Sequence, residues 1–159
     1  MLIEDKEKIE EIYKFLWNKL KFKPSIHMDV KPFDIEGNFL VYNIENMSLK
    51  DISFLNDFIL YLFSEIDINL KFYAIDYQHG TFLSNVNNIK EDINNPKNVF
   101  YPSFYPDGDY YFFIDENFRF GYLSHPWRKE VYIFGDIFIN KILNKHTLFE
   151  DTLKWKKIN

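Results

Sequence analysis

The stretch Tyr105–Asn140, YPDGDYYFFIDENFRFGYLSHPWRKEVYIFGDIFIN, decides the fold. Three runs rich in aromatic and branched residues, Asp109–Ile114, Phe118–Ser124 and Glu130–Phe134, are separated by two short polar turns. Such residues suit pleated, half-buried backbone, and turns this short join antiparallel neighbours. The reading is a three-stranded meander that runs into a helix. Asp115-Glu116-Asn117 forms the first turn, with Asn117 suited to a left-handed backbone. His125-Pro126-Trp127-Arg128-Lys129 forms the second. Gly135 ends the last strand, and Asp136 caps a helix to about Lys145. Upstream, Pro-Asp-Gly-Asp at 106–109 is a strong turn signature in which Gly108 takes a positive φ.

Working outward, Asp5–Leu20 places Ile9, Ile12, Tyr13, Leu16 and Leu20 on one helical stripe, and Pro24 closes the segment. Asn38–Ile44 reads as a strand after Gly37. A second helix starts at Ser48, whose hydroxyl is placed to cap it. Its stripe is Leu49, Ile52, Leu55, Phe58, Ile59, Leu62 and Phe63, and it is expected to be the most buried helix. Leu70–Tyr77 alternates as a strand, and Thr81–Leu83 continues the pairing. Asn85–Asn98 is Asn-rich and reads as a surface loop. Leu148–Asn159 reads as a short extra helix or a frayed end. Consecutive strands on short turns argue for one α+β domain over residues 1–159. It has an antiparallel sheet of about five to six strands, with helices packed mainly on one face.

Composition narrows the function classes. The 159 residues carry no cysteine, so disulfides, thiolate zinc sites and cysteine nucleophiles are excluded, and a reducing, cytoplasmic setting fits. The opening MLIEDKEKIEEIYKF is charged throughout and does not read as a signal peptide, and no run is apolar enough to span a membrane. A net charge of -5 argues against bulk nucleic-acid binding. With 18 Phe and 11 Tyr, the aromatic share is high. It serves either a Phe- and Tyr-built core or a Tyr-rich binding face.

Two segments, FYAIDYQHG at Phe72–Gly80 and the Tyr105–Asp136 part of the quoted stretch, resemble a bacterial family known as domain of unknown function 2716. Asp76, Gln78, His79, Asp107, Gly108, Asp109, His125, Pro126 and Trp127 match its pattern by type. Ser124 departs from it where the family has Gly, and Arg128 stands where an acidic residue is expected. The resemblance implies a family and a place to look, without a reaction.

The candidate site therefore comprises Asp76, Gln78, His79, Asp109, His125, Trp127 and Arg128. Strand alternation puts Asp76 and Gln78 on one face, with His79 opposite unless the chain bends. Two histidines and an aspartate are metal-ligand types, but D-x-x-H is a common spacing and the histidines are far apart in sequence. No metal and no cofactor is expected. Asp107 and Asp109 read as turn residues rather than an acid–base pair. Arg119 and Arg128, the only arginines, either pair with nearby acids or clamp an anion. No nucleophile elbow, phosphate loop or zinc-protease motif is present. Two function classes remain. One is a cytoplasmic protein-binding module, such as an immunity protein that neutralises a basic toxin. The other is an enzyme or small-ligand binder with a site around Asp76, His79 and His125.

Overall fold

In the computed structural model, which describes residues 1–159, the three runs of the quoted stretch are strands. They join four others in one sheet. In chain order the elements are α1 (Lys6–Asn18), β1 (Phe39–Asn43), α2 (Asp51–Ile66), β2 (Lys71–Asp76), β3 (Gly80–Asn85), α3 (Ile89–Ile93), β4 (Tyr111–Asp115), β5 (Gly121–His125), β6 (Glu130–Phe134), α4 (Asp136–Leu143), a π-wound turn at Leu148–Thr152 and β7 (Lys156–Lys157). The strand order is β3-β2-β4-β5-β6-β1-β7, and every pairing is antiparallel. The fold is α+β as expected, with seven strands rather than five or six.

Strand alternation sorts the aromatics into two cores. Phe72, Ala74, Tyr111, Phe113, Tyr122 and Ile133 face α2, α4 and the π-wound turn. Tyr73, Ile75, Phe112, Ile114, Leu123 and Tyr132 face Ile12 and Leu16 of α1 and the segment that carries Phe22 and Phe33. The helices thus lie mainly on one face, and α1 covers the other. The high aromatic content is largely core: eight Phe and three Tyr are among the largest fully buried side chains.

Local details depart from expectation where packing overrides residue preference. The Ser48 hydroxyl does not cap α2. The carbonyl of Ser48 instead takes the Asp51 N–H at 2.9 Å, and the helix begins three residues later. In the β4–β5 turn the left-handed residue is Phe118 (φ +59°), not Asn117. Asp115 builds this turn by accepting the N–H groups of Asn117 and Arg119, and the Phe118 ring stacks on Phe15 at 4.5 Å. Gly108 keeps a negative φ. The glycines at positive φ are Gly37 and Gly135. At Gly135 a Cβ would lie 2.4 Å from the Arg119 carbonyl, so only glycine fits where α4 leaves the sheet.

Within the Asn-rich stretch, α3 forms because Asp92 is drawn inward. Its carboxylate accepts from the Ser84 hydroxyl at 2.8 Å and pairs with the Met1 amino group. The tail is not frayed. β7 pairs with β1, and Asn159 bonds the backbone of Val41 and Phe39. α1 carries a side-chain cap: Asp5 accepts the Glu7 N–H at 2.9 Å. Asp5→Ala should cost about 1 kcal/mol of stability, read as a lowered urea midpoint at unchanged slope.

Candidate functional site

All seven candidate residues lie at one end of the sheet, where β2 and β5 finish and β4 and β6 begin. The sheet plane divides six of them into two groups, and Gln78 forms the bend between Asp76 and His79.

The first group is Asp76, His79 and Asp109. After Asp76 the chain bends at Gln78, which takes a φ of +68° and donates its N–H to the Tyr13 hydroxyl at 3.0 Å. The His79 N–H closes onto the Asp76 carbonyl at 3.0 Å. This bend is the condition under which His79 returns to the Asp76 side. Its Nδ1 sits 3.1 Å from Asp76 Oδ1 and 3.1 Å from Asp109 Oδ2. The ring is 64% exposed, whereas the Asp76 side chain is 8% exposed. Burial raises the Asp76 carboxyl above the usual carboxylate range, with His79 pulling the other way. The hydrogen bond to Asp76 raises the His79 imidazole above its ordinary value. Asp107 is tied to its own loop by the Tyr111 hydroxyl, which donates to it at 2.7 Å. Gln78 and His79 also line a shallow cleft of about 280 Å³ with Ile9, Tyr13 and Val99.

The second group is His125, Trp127 and Arg128, on the α1 side. The His125 ring is buried and packs edge-on against Tyr110, with centroids 4.8 Å apart. The Arg128 N–H points at Nδ1 from 3.3 Å, so Nδ1 accepts and Nε2 carries the proton. Nε2 faces the Tyr110 hydroxyl at 3.4 Å. That hydroxyl donates to the Ser25 carbonyl and accepts the Ser25 N–H. Burial, then the Arg128 charge, lowers the imidazole to about 4 despite Glu130 nearby. His125 is thus a neutral strut that ties the Ser25 segment to the β5–β6 turn. Arg128 is a strut too. Its Nε donates to Glu130 Oε2 at 2.7 Å, its Nη1 bonds the Met28 carbonyl, and the Tyr132 hydroxyl joins the same carboxylate at 2.9 Å. Arg119 pairs with the fully buried Asp115. Both arginines therefore bind internal acids and present no clamp to an anion.

Trp127 is the exception in this second group. The residue is 47% exposed, and its ring rests against Tyr110 with centroids 5.3 Å apart. The Ser25 and Arg128 bonds bring exposed Ile26 and Met28 to the same end of the sheet. Tyr110 and Tyr132 escape the sequence reading, whereas Glu130 was an expected arginine partner and pairs with Arg128. The i, i+2 spacing of Glu130 and Tyr132 on one strand was the available signal, because it puts an acid and a phenol on the same face.

The profile of a family described as Protein of unknown function (DUF2716) matches residues 3–139. An uncharacterized protein of Bacillus subtilis, YxiI, is 36% identical over 75 residues, which cover 45% of this chain and 43% of the relative. In that match the chain spans less than half the length of the relative. No solved structure matches the chain significantly. No helix is long and apolar enough to cross a membrane.

Proposed function

The chain belongs to the DUF2716 family, whose description names no activity, and we propose that it is a protein-binding module whose contact surface centres on Trp127. The supporting observation is that ring: a large aromatic, half exposed, held in one orientation by Tyr110 and His125. Preordered tryptophans are favoured interface anchors because little side-chain entropy is lost when they are covered. Exposed Ile26 and Met28 extend the apolar centre. The net charge of -5 favours a basic partner. An immunity protein acting on a basic toxin in the cytoplasm fits this description.

Affinity capture from the native cell at low and raised salt tests the reading. A basic protein should be retained stoichiometrically at low salt and fall away as salt rises. Trp127→Ala should weaken its binding by about 2 kcal/mol or more, roughly 30-fold in Kd, with the thermal midpoint monitored in parallel. Absence of a stoichiometric partner, or binding indifferent to Trp127→Ala, would sink the proposal. The second reading, an enzyme or small-ligand site around Asp76, His79 and His125, draws support from the first two alone. His125 is buried on the other face and fully engaged.

A further inference from the structure

We propose that Asp76, His79 and Asp109 form a binding site for a transition-metal dication of the zinc type. Three observations carry this, and none involves the Trp127 surface. The first is geometry. Ligands about 2.0–2.2 Å from a tetrahedral zinc lie roughly 3.3 Å from one another. Two edges of the trio, from His79 Nδ1 to Asp76 Oδ1 and to Asp109 Oδ2, are 3.1 Å, and all three donor atoms fall within 4.8 Å. Closing the third edge needs a rotation of Asp109, a side chain 25% exposed whose other oxygen accepts the Tyr110 N–H at 2.7 Å.

The second is an otherwise unpartnered buried acid. The Asp76 side chain is more than nine-tenths buried, yet no group outside the trio donates a hydrogen bond to it. The other strongly buried carboxylates are anchored independently: Asp115 by Arg119 and two N–H groups, Asp92 by Ser84 and the amino terminus, Glu130 by Arg128 and Tyr132. A buried carboxylate whose one partner is an exposed imidazole has a ready role as a ligand.

The third is the donor set. One imidazole nitrogen with two carboxylate oxygens selects a borderline metal over calcium or magnesium, which take oxygen shells. The three ligands leave a tetrahedral position open, and the exposed His79 ring gives the metal a path from solvent. Binding displaces the proton that Nδ1 otherwise shares with the two acids, so affinity should rise with pH as His79 loses that proton.

The test is calorimetric titration of the untagged full chain with zinc chloride at neutral pH, with cobalt(II) absorption as a probe of ligand geometry. One equivalent should bind, with the intense visible bands of tetrahedral cobalt. His79→Ala and Asp109→Asn should each weaken zinc by about 100-fold, the scale that even outer-shell partners reach. These two residues sit at the solvent rim, so their variants keep the test valid if Asp76→Asn fails to fold. A His27→Ala/His146→Ala double variant should bind as the parent does. Absence of binding, magnesium binding as tightly as zinc, or zinc affinity unmoved by His79→Ala would each overturn the site. Its failure would leave partner capture through Trp127 untouched.

Discussion

Phe63→Ala should destabilise the protein by about 3–5 kcal/mol, the range for emptying a fully buried aromatic site. Phe63 lies fully buried on α2 at the meeting point of four other rings. Its centroid is 5.2 Å from Phe72, 5.9 Å from Phe104, 5.6 Å from Phe120 and 5.2 Å from Phe138, and all four contacts are edge-on. These rings belong to β2, the 104 segment, the approach to β5, and α4. No single neighbour can move to fill the void without dragging its own element. A collapse that would soften the loss is therefore blocked, which places the variant toward the costly end of the range. Phe63→Leu should lose much less, because leucine refills most of the volume. The urea midpoints of the two variants give the measurement. Equal loss in both would mean that ring-edge geometry, not filled volume, sets the stability here. Loss near zero in the alanine variant would mean that this packing is wrong.

The same cluster shows what was legible in the sequence. Phe58, Ile59, Leu62 and Phe63 declared α2 by their spacing, and the aromatic and branched runs Asp109–Ile114 and Glu130–Phe134 declared two strands of the meander. The elements missed are those whose cause is tertiary. β7 is two lysines with no apolar alternation, and it is a strand because Tyr42 and Asn43 offer an edge to pair with. α3 lies in an Asn-rich run without periodicity and exists because Ser84 and the amino terminus hold Asp92. Phe118 took the left-handed position over Asn117 because a ring stacked on Phe15 outweighs a local backbone preference. At the site, candidates chosen by residue type on separate strands come together at one end of the sheet. Residue types did not reveal the division between faces, which depends on the bend at Gln78 and on His125 pairing across β6 with Glu130.

That division makes His125 an acid-sensitive joint. Its ring is almost fully buried, neutral, and proton-bearing on Nε2, while its Nδ1 lone pair serves the Arg128 N–H. A second proton would have to displace that bond and place a cation beside Arg128. In the folded chain the imidazole therefore resists protonation until about pH 4, whereas in the unfolded chain it protonates near its ordinary value of about 6.5. The sign follows from proton counting. Between those limits the unfolded state binds the extra proton and the folded state does not, so stability rises with pH. The contribution is complete above about 6.5 and is lost as pH falls toward 4, amounting to about 3 kcal/mol. Glu130 opposes the shift and Arg128 reinforces it, and both are held by each other at 2.7 Å. Asp76, whose carboxyl is raised, works in the opposite sense over the lower part of the same window. A wild-type profile alone therefore mixes the two, and a comparison with His125→Asn separates them. Asparagine keeps an acceptor for the Arg128 N–H but cannot take the proton. Its unfolding free energy should start lower at neutral pH, because the Tyr110 contact is lost, and then fall much less steeply between pH 6.5 and 4. Parallel profiles for the two proteins would show that His125 is not the group that titrates. Acid resistance in the variant would identify the strut between Ser25 and the β5–β6 turn as the element that fails first in acid. Because Trp127 rests on that strut, its surface should lose its fixed shape in the same pH range.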